Sequence, residues 1–477
     1  MGSEASKPQS LVRHSNRWRR KCKILDETET RTLSEKPTRS FDDKAVCSNI
    51  GNHELLFRQI LDHHDHQQNA FDLVASNTVC SYQVRAIMGS ALMDSCCIGL
   101  PGNRFYGGCS DIDLIEEKTR QLVCKVFGAP YCEVQLLSGM MANIAAYCVM
   151  LPSHGCCVMA SPSKHGGHYS HNTNGPLTRF FGATVVQTPW NASNYNVDID
   201  LLPQAMAEHK PSLLILGWSE MLFEHDLAAI RKICDRFDCK IMYDMSHVAG
   251  LIAGGVFQTD VVKYADIVTS STGKTLQSVD HGLLLYKDPS LTPKIRQAVM
   301  PLLTSNTHFH EIAALCMTML EMQTFGHAYA RQVVANTQAL GKELDRRGFK
   351  VLCSKLGYSR SHELIVDLGK SAHQQRQQQS GAGGGGGVQA TRRLDAAGIF
   401  ANPQDLPWDT AVSGPTGLRL GTQALTRRGF REQDMIPVAD ALAHVLHYHQ
   451  DPSIIRNFVA QKCSEVNRLS FAFPLET

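Results

Sequence analysis

Two stretches decide how the rest of the chain is read. They are Lys240-Ile-Met-Tyr-Asp244-Met-Ser-His247 and, after a helix-like segment from Val248 to Tyr264, Ala265-Asp-Ile-Val-Thr-Ser-Ser-Thr-Gly-Lys274-Thr275. The first is a short apolar run that ends on an acid. The second is a β-branched run that ends on a lysine, and both have the length and bounds of buried strands. A carboxylate and an amine at the C-terminal ends of two strands stand where open α/β sheets place ligands. Pyridoxal 5'-phosphate chemistry requires this pair. The amine forms a Schiff base with the aldehyde, and the acid holds a proton on the pyridine nitrogen so that the ring accepts electrons. Taken singly, each residue has a plainer reading, Asp244 as a helix cap and Lys274 as a solvated loop charge. Gly273-Lys274-Thr275 does not end a phosphate loop, because that motif needs a glycine where Val268 stands.

Composition narrows the function classes. With 477 residues the chain is long enough for two or three domains and a large core. Hydrophobic residues make up 43% and charged residues 19%, the balance of a globular protein. A formal net charge of +2 supplies no global field for nucleic acid or an anionic membrane, so neither partner is expected. No apolar run approaches the roughly 20 residues of a membrane span. Sixteen cysteines occur without one Cys-x-x-Cys spacing, and two pairs are adjacent (Cys96-Cys97 and Cys156-Cys157). That pattern points to reduced, buried thiols in a cytoplasmic protein rather than a disulfide frame or a zinc site. His63-His64-Asp65-His66 lies on a helix expected from Asn52 to Asn69, where adjacent side chains point apart, so it reads as a solvated face and no metal site is expected.

Along the chain, residues 1 to 48 read as a flexible polar extension, residues 49–305 as a large domain with an N-terminal arm, and residues 306–477 as a smaller C-terminal domain. Met1-Gly2-Ser-Glu-Ala-Ser6 fits the minimal myristoylation pattern, although one acyl chain anchors only marginally. The large domain alternates strands and helices, which argues for a mostly parallel sheet. Its loop Gly99 to Gly108, with Phe105 and Tyr106 among many glycines, reads as a shaped, close-approach loop. Strand residues Glu133 to Leu137 open into Ser138-Gly139, where a helix starts and its N–H groups make a natural phosphate seat. His165, beside two glycines, is placed to lie flat on a planar ring. Beyond Pro301 a long helical run from His310 to Arg347 leads into the smaller domain, which carries a Gln/Gly-rich insertion at 374–387. Arg419 sits in an apolar strand flanked by glycines, so it requires an anion, either a substrate carboxylate or a protein acid.

From Leu73 to Gly429 the sequence resembles serine hydroxymethyltransferase, a pyridoxal-phosphate enzyme of the aspartate-aminotransferase fold type. The resemblance rests on Val74-Ala-Ser76, Gly99-x-Pro-Gly-x-Arg-x-Tyr106-Gly-Gly, His165-Gly-Gly-His168, Asp244-Met-x-His247-x-Ala-Gly-Leu, Thr272-x-Lys274-Thr and Gly417-Leu-Arg419-Leu-Gly-Thr. It implies a fold of type I, with a seven-stranded, mostly parallel sheet and a smaller C-terminal α/β domain. It also implies site roles. Lys274 carries the cofactor and Asp244 the pyridine proton, while His165 stacks on the ring and Ser138, Gly139 and Ser219 join the cofactor set. His247 lies near the substrate, and Arg419 with Ser76 grips the α-carboxylate. Tyr106 enters from the partner subunit of a homodimer or homotetramer.

The departures from the family are equally informative. Where the family has a tyrosine and then a glutamate before the Gly-x-Pro-Gly loop, this chain has Cys96 and Ile98. Gly273 replaces a histidine, Asp280 an arginine, Met140 a phosphate-seat serine, and Thr304 to Thr307 replace a Gly-Gly pair. Because Ile98 cannot move a proton, the expected chemistry is making or breaking the Cα–Cβ bond of a β-hydroxy-α-amino acid, threonine-aldolase-like, with tetrahydrofolate doubtful. Ordinary folate-dependent serine/glycine interconversion is the second reading, with Glu220 or Glu224 as the replacement acid. A non-catalytic scaffold is the third.

Overall fold

The computed structural model describes residues 51–152, 154–369, 386–466 and 468–474. The N-terminal extension, the myristoylation pattern and most of the Gln/Gly insertion lie outside these residues. Helix α1 (Gly51–Gln68) carries the His63 to His66 face, which is exposed. Of the described residues, those up to His66 belong to one unit and those from Gln67 to a second, larger one, which holds everything described below.

The larger unit is built on a seven-stranded sheet. Its strands are β1 (Tyr131–Leu136), β2 (Cys157–Ala160), β3 (Thr184–Gln187), β4 (Leu213–Leu216), β5 (Lys240–Asp244), β6 (Ile267–Ser271) and β7 (Gly282–Tyr286). Their spatial order is β1-β7-β6-β5-β4-β2-β3, and only β7 runs antiparallel to its neighbours. β4, β6 and β7 are buried along their whole length, as is β5 from Ile241, so none alternates apolar with exposed polar residues, and β6 ends on the buried hydroxyls of Thr269, Ser270 and Ser271. The fold is that of type I pyridoxal-phosphate enzymes, as the resemblance implied. In place of one helix between β5 and β6, two short ones form, Ala249–Ala253 and Val261–Tyr264. The intervening Gly254-Gly255 pair breaks the run.

A four-stranded antiparallel sheet follows, with strands β8 (Lys350–Val351), β9 (Glu363–Asp367), β10 (Asn402–Gln404) and β11 (Gly417–Gly421) in the order β8-β9-β11-β10. Gly386 and Gly387, the end of the tract expected to be a surface insertion, instead open a helix that runs to Ala396 and are buried in it. Added bulk at Gly387 would meet the Gly417 carbonyl at 2.4 Å, so the smallest residue is needed where this helix crosses β11. The large sheet has an apolar core on each face, the larger one holding Leu214 and Tyr243 and the other Leu213 and Met242, and the small sheet has its own. The long helix α4 (Phe309–Arg346; α2 is Ser110–Phe127 and α3 Gly139–Met150) joins the larger of these to the core of the small sheet, giving Ile312, Met319 and Val333 to the first and Leu340 and Leu344 to the second. Phe71 and Leu73 join the second core, although they precede the large sheet in sequence.

Candidate active site

The C-terminal ends of β1, β4, β5 and β6 surround a cavity of about 310 Å³. It is lined by Ser138, Gly139, Met140 and Asn143 at the start of α3, by Gly217, Trp218 and Ser219 after β4, and by Asp244, Ser246 and His247 after β5. Ser271, Lys274 and Asp280 complete it from β6 onward, with His168 and Tyr169 on the opposite wall. Lys274 and Asp244, the two strand-end residues, therefore meet across one cavity, as sheet ends of this class dictate.

Asp244 is buried, and both its oxygens are occupied. Oδ1 accepts the Ser246 N–H at 3.0 Å and hydroxyl at 2.5 Å, and Oδ2 accepts the Asn143 amide at 2.9 Å and meets His171 Nε2 at 3.1 Å. Burial pushes its pKa up, but these donors outweigh it and hold the carboxyl well below its ordinary value. Lys274 is lowered too, here by burial, which outweighs the pull of Asp244 and Asp280. Close approach of β4 and β5 needs Gly217. It takes φ +85°, and a Cβ there would stand 1.9 Å from the Asp244 carbonyl.

His165 is not at the cavity. Its ring stacks on Trp190 at 4.8 Å, outside the lining, and His168 takes the cavity wall instead. The reason is the Gly166-Gly167 turn. Gly166, at φ +81°, packs on Glu220, and Gly167 packs on the Ser161 carbonyl, so the two histidines point in different directions. Burial lowers the pKa of His168 to about 4, which leaves a neutral ring there.

Arg419, on β11, stands behind Ser219 rather than on the lining. Its Nη1 donates to the Ser219 carbonyl at 2.5 Å, its Nε to Asn402 at 3.3 Å, and Glu363 lies 3.8 Å away. Ser76 is half-buried; its neighbour Ala75 packs on Gly421, two residues beyond Arg419. Tyr106 lies away from the cavity, exposed at 42% beside Phe105 at 79%, on the loop that also carries Ile98.

Residues without a motif complete the site. Glu363, the first residue of β9, is fully buried. It accepts the Met221 N–H at 2.9 Å and meets His247 Nδ1 at 2.9 Å. Glu220 is buried too, accepting from the Tyr195 hydroxyl at 2.6 Å and from Gln404. Burial lifts both carboxyls to about 8, with Arg419 pulling down. Glu224, the other acid considered, instead holds the Gln258 N–H at 2.9 Å on the far side of that loop. An acid opening an otherwise apolar strand, directly after His362, was the available signal for Glu363. His247, His362 and Glu363 bring ligand atoms within 4.8 Å of one another, but the Arg419 guanidinium already supplies the cation there.

The donor set fits pyridoxal phosphate: a buried amine, an ionised acid across from it, and a helix N-terminus capped by Ser138. Asp280, at the exposed rim, carries a charge that would oppose a phosphate. Among the described residues no helix is long and apolar enough to cross a membrane.

Residues 52–442 match the family profile for serine hydroxymethyltransferase. A serine hydroxymethyltransferase of Methanocella arvoryzae is 36% identical over 434 residues, 91% of this chain and 96% of the relative. One from Methanosphaera stadtmanae is 35% identical, covering 89% and 97%, and one from Pyrobaculum arsenaticum 34%, covering 86% and 92%. The match spans both sheets and every residue that lines the cavity, and the chain belongs to the serine hydroxymethyltransferase family of pyridoxal-phosphate-dependent enzymes.

Proposed function

We propose that this enzyme interconverts serine and glycine, passing the hydroxymethyl carbon to a tetrahydrofolate. Aldol cleavage of larger β-hydroxy amino acids, the first reading from sequence, becomes the second. The observation that carries the change is the pair of buried acids, Glu220 and Glu363, held protonated to about pH 8 around Arg419. Ile98 removes one acid from its loop, and the fold gathers two others, Glu220 and Glu363, beside Arg419. The names of the relatives point the same way. A scaffold has no use for a lowered lysine facing an ionised acid inside a family of enzymes.

In this reading bound pyridoxal phosphate supplies the electron sink for the α-carbon. Lys274, its amine lowered by burial, would hold it, and Asp244 would keep the proton on the ring nitrogen. His168 rather than His165 forms the wall against the ring. Ser138, Gly139 and Ser219 anchor it, and Trp218 helps to exclude water. Arg419, with Ser76, orients the α-carboxylate, and His247 handles the proton of the β-oxygen. Tyr106 reaches the site of a second copy, which makes the assembly a homodimer or a larger homo-oligomer. The large sheet with the cores on its two faces and the small sheet with its own make the two domains, and the free thiols suit a reducing cytoplasm. What favours the second reading is the same Ile98 loop, which carries no acid to a partner. Purified protein given serine, threonine or allo-threonine, each with and without tetrahydrofolate, separates the two. Serine turnover that rises strongly with folate supports the proposal. Folate-insensitive cleavage of threonine with negligible serine turnover overturns it.

A further inference from the structure

We infer that Glu363 is the acid of this site and works through His247, a two-residue relay that takes over the proton transfer Ile98 cannot perform. Glu363 never touches the cavity; its neighbour does. His247 lines the cavity and meets Glu363 through Nδ1 at 2.9 Å, which leaves Nε2 for the reacting oxygen. The other Glu363 oxygen is occupied by the Met221 N–H. Both side chains are almost sealed from water, at 0% and 7% exposure, so the proton exchanges between them and the cavity rather than with solvent.

The surroundings set the proton count. Arg419 faces Glu363 from the adjacent strand β11, Glu220 from the turn after β4, and His362 from its own strand, while Lys274 and His168 face the pair across the cavity. One guanidinium stands among two buried carboxyls, and burial lifts Glu363 to about 8 and holds His247 neutral. At neutral pH the carboxylic acid therefore donates to Nδ1, and Nε2–H points into the cavity. In the bond-making direction the aldehyde oxygen takes the Nε2 proton as Cα–Cβ forms, and the Glu363 proton moves to Nδ1. In cleavage the order reverses. The hydroxyl O–H breaks as Nε2–H forms, Nδ1–H breaks as the Glu363 O–H forms, the oxygen pair closes the C=O, and the Cα–Cβ pair stays on the α-carbon. Cleavage thus needs ionised Glu363 and bond formation needs protonated Glu363. Glu363 is a positioning residue: it acts on substrate only through His247.

This inference rests on the proposed Cα–Cβ chemistry but not on folate, so its test uses 3-phenylserine, whose cleavage releases benzaldehyde without a one-carbon acceptor. In holoenzyme, cleavage should rise as pH passes about 8 and the reverse condensation should fall over the same range. Glu363→Gln should lower kcat about 100-fold with KM within about threefold and flatten both limbs. His247→Gln should lose as much, and the double variant little more. Glu363→Gln within twofold of wild type with the limbs intact overturns the relay. The second readout is the His247 tautomer by ¹⁵N-histidine NMR, assigned with His247→Gln. A proton on Nε2 at pH 7 that moves to Nδ1 above about 8 supports the relay. One tautomer throughout overturns it, even if wild type leaves 3-phenylserine uncleaved or the variant fails to fold. Loss of folate-dependent serine turnover alone sinks the proposed function and leaves both readouts standing.

Discussion

Asp280 is the residue whose sign is wrong for a phosphate site. It stands at the cavity rim, tied to the Ser271 hydroxyl at 3.0 Å, near the N-terminus of α3 that would hold a phosphate. Like charges there weaken binding, less so because the rim is open to water. Asp280→Asn should therefore slow the loss of pyridoxal phosphate to a scavenger by about threefold or more, read as absorbance retained on dialysis; unchanged or faster loss refutes the repulsion. Arg419 argues the opposite way. A point-charge lysine cannot keep its contacts to both Ser219 and Asn402 while meeting a carboxylate, so Arg419→Lys should weaken glycine binding by about 2–5 kcal/mol. A glycine titration of the cofactor spectrum that matches wild type removes the assignment. Borohydride reduction followed by mass spectrometry should find the cofactor on Lys274, and an adduct elsewhere contradicts it.

At the scale of elements, β4 and β5 are held in contact by the absence of a side chain. Gly217 lies where its own strand turns toward the cavity, with left-handed backbone and the Asp244 carbonyl at 1.9 Å from any added Cβ. Gly217→Ala must separate the two strand ends that position Ser219 and Asp244. The expected cost is at least about 3 kcal/mol of stability, from strain and lost packing together. Urea unfolding measures it, and a cost under about 1 kcal/mol would mean that the strands give way freely. α4 is the other decisive element, since one helix supplies apolar side chains to a core of each sheet. It runs 38 residues, buried from Phe309 to Leu344 on the faces that meet those two cores.

For the whole molecule, pH acts through buried acids of opposite kinds. Glu220 and Glu363, raised to about 8, contribute stability that is fully present below the unfolded value near 4.5 and is lost as pH rises through about 8. Asp244, held low, contributes stability present above its unfolded value of 3.8 and lost in more acidic solution. Melting temperature should therefore fall between pH 6 and pH 9. Glu220→Gln, which removes one titrating group, should blunt that fall by on the order of 1–3 °C in a thermal melt. A variant that tracks wild type across the range would show that Glu220 does not titrate there. The exposed Tyr106 loop belongs to this scale as well. If it completes a partner's site, inactive Lys274→Ala and Tyr106→Ala chains should recover activity when mixed as one assembly. No recovery in a verified hetero-oligomer argues against sharing.

Periodicity and strand-end chemistry in the sequence were enough for the sheet, its mostly parallel order, and the meeting of Lys274 with Asp244, because those depend on local runs and on a rule about where open sheets bind. Ser138 and Gly139 were legible for the same reason, lying just beyond a strand's end, whereas Ser219 and His247 entered through the family resemblance and line the cavity too. His165 stacks on Trp190 while His168 lines the cavity, a choice that a two-glycine turn leaves open in sequence and that packing against Glu220 and Ser161 makes. Glu363 left only a faint mark in the sequence, an acid opening an apolar strand, with nothing to tie it to this site. It opens a strand of the other sheet, 116 positions from His247, and no spacing records that contact. Its raised pKa is likewise a property of place, arising from burial in water-free surroundings beside another acid and a single guanidinium. The sequence alone therefore determined the fold and the Lys274–Asp244 pair; which histidine faces the cavity, and which acid serves it, was decided by tertiary packing, because burial and long-range contacts set both.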